Sequence, residues 1–166
     1  MEAIDKYILD NTTAEAQLLS ELDRETHLRV VQPRMLSGHI QGRLLTMLTQ
    51  MVRPRRVLEI GTFTGYSALC IAAGLESGAE LHTVEVDDEL EALSSKYFAR
   101  SEHSEKIFAH IGSALDVAPA LGGIFDLVFM DGDKREYPAY LNMLLDGRLD
   151  GGLDGGLDGG LAVGLV

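Results

Sequence analysis

The chain has one cysteine, Cys70, among its 166 residues. A lone thiol closes no internal disulfide, and it fits a reducing, cytoplasmic compartment. No run of about 18 apolar residues occurs, so no membrane partner is expected. The first residues, "MEAIDKYILDNTTAE", carry acidic side chains among the apolar ones and do not read as a secretory signal. Basic residues are scarce: 14 Lys and Arg stand against 26 Asp and Glu, for a net charge of −12. That balance disfavours a nucleic-acid partner, because phosphate backbones are held by clustered Lys and Arg. The densest basic run, "RPRR" at 53–56, reads as a solvated loop ahead of an apolar strand.

What the chain has in excess is glycine at one end. Residues 146–166 hold 8 of the 18 glycines in a four-residue Leu-Asp-Gly-Gly repeat. The period suits neither helix nor strand, so a flexible, low-complexity tail is expected, with a short last strand at Leu161–Val166. The Asp-Gly repeats lack the spacing of calcium loops. Residues 1–145 form one domain by length.

That domain alternates between helix and strand. Residues 13–31 place Leu18, Leu19, Leu22 and Leu28 at helical spacing, with Thr12 or Thr13 as the cap. A second helix runs from Ile40 to Val52 and ends at Pro54. These N-terminal helices occupy residues 1–53. The core, 54–145, follows with strands at 56–60, 80–86, 106–111 and 126–131, and helices at 66–75, 88–100 and from 137 onward. The alternation predicts an α/β fold, a Rossmann-like doubly wound parallel sheet.

Ligands of such sheets sit beyond the carboxyl ends of the strands, which selects four short segments. The first is "EIGTFTGYS". Gly61 and Gly65 permit a tight turn, but Phe63 stands where a dinucleotide fingerprint has glycine, which argues against NAD. Glu59 suits an ammonium group, and Ser67 at the helix N-terminus suits a carboxylate. The plainer alternative is a glycine turn with a solvated Glu59. The second segment ends in Glu85, placed to accept the hydroxyls of a ribose. An amino acid joined to a nucleoside satisfies both segments, and S-adenosylmethionine is that molecule. In the third, "GSAL", Ser113 and Ala114 face an adenine, or Ser113 caps a helix; both readings stand. In the fourth, "FMDGDKREY", Asp131 offers a carboxylate to magnesium, and Lys134 next to a cation takes a proton from a hydroxyl; the plainer alternative is a surface Asp–Lys pair. Cys70 reads as packing. No two of His27, His39, His82, His103 and His110 have metal-ligand spacing, and His82 and His110 read as structural.

In this order "VLEIGTFTGYSAL", "TVEVDDE", "IGSAL" and "FDLVFMDGDKREY" resemble the cation-dependent S-adenosylmethionine O-methyltransferases of the catechol and caffeoyl-CoA type. "QPRMLSGHIQGRLL" is similar to that family's segment between its N-terminal helices. The resemblance implies transfer of the sulfonium methyl to a hydroxyl of a small acceptor. It implies that Glu59 and Ser67 hold the methionine end, with Gly61 and Tyr66 lining the loop. Glu85 would hold the ribose, Ser113 and Ala114 would meet the adenine, and Met35 and Gly38 would lie beside the methyl. Asp131 would be a donor-site residue and a metal ligand, and Lys134 the general base. N-terminal helices with apolar faces also imply a homodimer.

The resemblance fails at one place. The family's metal site is completed by an Asp-Asn pair at the end of the next strand, and "DGRLDGGLDGGLDGG" contains none. Asp154 or Asp158 would have to substitute, and the C-terminal strands are expected to be truncated or replaced. The two functional expectations are therefore an O-methyltransferase and a donor-binding module without a complete metal site.

Overall fold

The computed structural model describes residues 3–149 and 161–164. Strand β1 (Arg56–Ile60) runs through the middle of the sheet, and every residue after Arg56 is buried. Two covered faces explain its nearly unbroken apolar run. Strand β2 (Glu80–Glu85) and strand β3 (Ile107–Ile111) add on one side, and β4 (Leu127–Met130) and β5 (Leu161–Gly164) on the other. All neighbours are parallel, in the order β3-β2-β1-β4-β5. The chain steps outward from β1 to β3 and then returns to the far side of β1. Its order therefore reverses between β1 and β4, where a crevice opens at the strand ends.

Two helical layers cover the sheet. Helices α2 (Gln17–Arg29), α3 (Gly38–Val52), α4 (Tyr66–Gly74) and α5 (Glu91–Phe98) bury Leu22, Leu45, Leu69 and Tyr97 against Val57, Leu81 and Phe129. Helices α6 (Ala114–Leu121) and α7 (Tyr137–Leu149) bury Ala118 and Tyr140 against Leu58, Val84 and Met130. Helix α1 (Ala3–Asp10) precedes both layers. Burying a large apolar side chain contributes about 2 kcal/mol, so these two clusters hold the doubly wound fold together.

Several boundaries differ from the sequence reading. Helix α2 begins at Gln17, and the cap position is Ala16, without a side-chain hydrogen bond. Neither Thr12 nor Thr13 serves there: the Thr12 hydroxyl donates instead to the Ile8 carbonyl, 2.6 Å away, closing the end of α1. Helix α7 continues to Leu149, past the change of composition. Strand β5 pairs with β4 from Leu127↔Leu161 to Met130↔Gly164. Asp154 and Asp158 lie outside the described residues.

Candidate functional site

A cleft of about 760 Å³ opens where the sheet order reverses. The ends of four strands build its floor through backbone bonds that continue the ladder. Asp131 N–H donates to the Ile60 carbonyl (2.8 Å), Gly61 N–H to the Val84 carbonyl (2.9 Å) and Gly112 N–H to the Glu85 carbonyl (2.8 Å). Gly61 is required at this junction. Its φ is +99°, and a Cβ would lie 2.6 Å from the Asp131 carbonyl oxygen. Gly65, at φ +94°, leads into α4 and has the Phe98 ring where its own Cβ would be.

The cleft is lined by Met35, Gly61, Tyr66, Ser67, Glu85, Ser113, Ala114, Asp131 and Lys134, all expected from the sequence. Leu36, Thr62, Phe63, Asp133, Glu136 and Tyr140 also line it. Gly38 and Glu59 do not contribute to that lining. Gly38 opens α3 with a φ of +72° and open space around it, so its task is to turn the chain into the helix.

Glu59 lies below the cleft surface, fully buried. It is therefore not the solvated carboxylate of the plainer reading. The Thr83 hydroxyl donates to Glu59 Oε2 across 2.5 Å, while Oε1 is buried without a hydrogen-bond partner among the described residues. Burial raises the Glu59 pKa from the usual 4.5 to about 7; the Ser67 and Thr83 hydroxyls work against that shift, and the charges of Asp131 and Glu85 add to it. Thr62 and Thr83 share a further 2.5 Å hydrogen bond. Since Thr83 gives its only hydrogen to Glu59, Thr62 is the donor in this pair.

Glu85 is held differently. Its Oε2 accepts Phe63 N–H (2.7 Å), and its Oε1 accepts Val86 N–H and Asp87 N–H (both 3.0 Å). A carboxylate has about four acceptor positions, so one strong position remains for a ligand hydroxyl, on Oε2. Phe63 has a φ of +50°, a conformation that costs a bulky residue about 1–2 kcal/mol. This turn aims its N–H at Glu85.

The other ends of the cleft follow from short elements. Ser113 accepts from Leu115 N–H (3.3 Å) and caps α6 while lining the cleft, so the cap reading holds and leaves the residue at the cleft wall. Asp131 is half-buried, and desolvation raises its pKa while Lys134 lowers it. Lys134 is exposed at the rim. Asp133 is tied to Arg135 by hydrogen bonds of 3.0 Å, and its carboxyl is held down at about 2. Glu136 accepts from the Tyr140 hydroxyl. With Glu85, Asp131, Asp133 and Glu136 on its walls and Lys134 as the one basic residue among those described, the cleft favours a cationic ligand over a pyrophosphate.

Thr62, Thr64, Thr83 and Thr26 were not anticipated. Thr26 on α2 donates to Thr64 (3.0 Å) and ties the N-terminal layer to the glycine loop. Thr83 was traceable in principle, because it faces Glu59 in the β1–β2 register.

The O-methyltransferase family profile matches residues 10–166. Catechol O-methyltransferase of Niastella koreensis is 30% identical over 148 residues, covering 87% of this chain and 66% of the relative. The O-methyltransferase ankF of Aspergillus thermomutatus is 33% identical over 145 residues, covering 86% of this chain and 61% of the relative. The chain thus spans about two thirds, or slightly less, of these relatives. Among solved structures, TomG of Streptomyces achromogenes in complex with SAM superposes with a TM-score of 0.80 at 30% identity, covering 87% of this chain and 66% of TomG. SAH-bound PaMTH1 of Podospora anserina gives 0.82 at 29%, covering 88% and 63%. A parallel sheet with a carboxylate-walled crevice at its reversal, matched in sequence from residue 10 onward, leads to one conclusion: this chain belongs to the O-methyltransferase family.

Proposed function

We propose that the chain binds S-adenosylmethionine in the cleft and transfers its methyl group to a hydroxyl of a small, catechol-like acceptor. The observation that carries this reading is the buried Glu59 carboxyl with its unpartnered Oε1, directly preceding the Ile60–Gly61 wall. A buried acceptor atom without a partner is costly unless a donor arrives, and the methionine ammonium is such a donor. Glu85, fixed by three backbone N–H groups, offers its remaining acceptor position to a ribose hydroxyl. Ser113 and Ala114 bound the adenine side, and Met35, Tyr66 and Ser67 enclose the methionine side. The acidic walls favour the sulfonium cation.

In the transfer, the acceptor oxygen forms a bond to the methyl carbon. The carbon–sulfur bond breaks, and the electron pair stays on sulfur, leaving S-adenosylhomocysteine. Lys134 Nζ, at the cleft rim, is the proposed acceptor of the hydroxyl proton. Holding both reactants in line supplies the acceleration.

The family resemblance also implies a divalent cation. Among the described residues no three His, Cys, Asp or Glu side chains are grouped to hold a metal ion. Asp131 alone does not fit that role, and no step is derived through a metal. A second reading, a donor-binding module without catalysis, rests on the lack of an Asp-Asn pair after Asp131 in the sequence. Transfer of labelled methyl from S-adenosylmethionine to catechol, with and without magnesium, separates the two. Methylated catechol supports the enzyme; donor binding with no product under either condition supports the module.

The chain is further proposed to pair with a second copy. Ile40, Leu44, Met47 and Met51 are 37–72% exposed along one stripe of α3. A sedimentation measurement giving only monomer would contradict pairing. No described helix is long and apolar enough to cross a membrane, and a cytoplasmic location is proposed on the buried thiol of Cys70.

A further inference from the structure

A second cavity, about 320 Å³, lies among α2, α3 and α4. We propose that it binds a small apolar carboxylic acid, held by Arg43 beside the His39 ring. Its floor is apolar: Leu69 and Cys70 are buried, and Leu18 and Leu19 pack against the same core. Arg43 and His39 stand four residues apart, on one face of α3. Both line the cavity.

Arg43 is half-buried and makes no ion pair among the described residues. His39 Nδ1 is buried without a hydrogen-bond partner among the described residues. A half-buried cation loses solvation in the folded chain, and no carboxylate among the described residues pairs with Arg43 to offset that loss. A ligand carboxylate answers Arg43 by accepting from its guanidinium fork, with the His39 ring forming the adjacent wall.

Four other charged or titratable groups line this cavity: Glu15, Arg100, Glu102 and His103. Arg100 is paired with Glu21 at 2.5 Å. Glu15 accepts from the Tyr66 hydroxyl. Glu102 Oε1 lies 3.8 Å from His103 Nε2, and its side chain turns largely to solvent, 87% exposed. The volume lies at the small end of ligand pockets, enough for an aryl or short alkyl chain over Leu19 and Leu69. Cys70 is not a nucleophile here, because burial pushes its thiol up to about 12.

The test is calorimetric titration of the whole chain with 3-phenylpropionate, repeated with 3-phenylpropanamide and with inorganic phosphate, in the presence of S-adenosylmethionine. Saturable binding of the carboxylate that exceeds both controls is expected. It should weaken about tenfold or more in Arg43→Gln and recover in part in Arg43→Lys. Ala73→Phe, at an exposed helix position lining the cavity, should block the site while keeping the fold, read by circular dichroism. Absence of saturable binding, equal binding of the amide, or unchanged affinity in folded Arg43→Gln would overturn the proposal. So would loss of binding on adding S-adenosylmethionine, which would put the acid in the donor cleft instead.

Discussion

Thr83, opposite Glu59 in the β1–β2 register, donates its hydroxyl to the buried Glu59 Oε2 across 2.5 Å. That bond orients the carboxyl so that its other oxygen stays unpartnered. The sheet thereby keeps an acceptor in reserve beside the glycine loop, at a cost to its own stability.

The cost has a sign that pH reveals. Glu59 ionises near 4.5 when unfolded and at about 7 when folded. Between those values the folded state binds the extra proton, so stability from this group falls as pH rises from 4.5 to 7 and is level above. The ionised folded state is disfavoured by about 3 kcal/mol. Glu59→Gln should therefore raise the urea midpoint at pH 8 and weaken S-adenosylmethionine binding. A lower midpoint with unchanged donor affinity would contradict both roles.

His110 has the opposite slope. Its pKa is lowered from 6.5 by burial and by neighbouring His82, to which it is hydrogen-bonded at 3.1 Å. The folded state resists protonation, so stability is full above pH 6.5 and declines as pH drops below it. His110→Asn should flatten that decline in urea titrations. In Glu59→Gln the decline should be steeper than in the parent, because the opposing slope is gone. An unaltered profile in His110→Asn would exclude His110 as its source.

Gly61→Ala tests the junction of β1 and β4. The added methyl meets the Asp131 carbonyl at 2.6 Å, in a backbone conformation unsuited to alanine. A loss of about 2 kcal/mol or more is expected, together with weakened donor binding. Parent-like stability would mean that the strand ends are not held as tightly as the ladder bonds indicate.

Lys134→Ala should reduce methyl transfer by about a hundredfold or more while leaving donor affinity intact. Lys134 is exposed and sits at the rim, so the fold should not respond. Loss of donor binding would assign it a binding role in place of proton transfer.

The sequence showed much of this fold because buried parallel strands leave apolar runs that end in glycine or acid, as at Ile60-Gly61 and Glu85. The same strand-end logic located Asp131 and Ser113. It did not locate Thr83 or Thr62, because a threonine inside a strand looks like ordinary β-propensity until the register sets it opposite Glu59. The depth of Glu59 was also invisible: its position in the chain marks the strand end, while its burial depends on α4 packing over it. Thr12 misled as a cap, since a hydroxyl after one helix serves its last carbonyls as readily as the next helix's first amides.

Calorimetric titration of S-adenosylmethionine into the parent chain and Glu85→Ala tests the account most directly. One saturable site is expected in the parent, weakened by about 1–3 kcal/mol in the variant, whose far-ultraviolet spectrum should be unchanged. No binding by the folded parent, or equal affinity in both, would contradict the assignment of this cleft to the methyl donor.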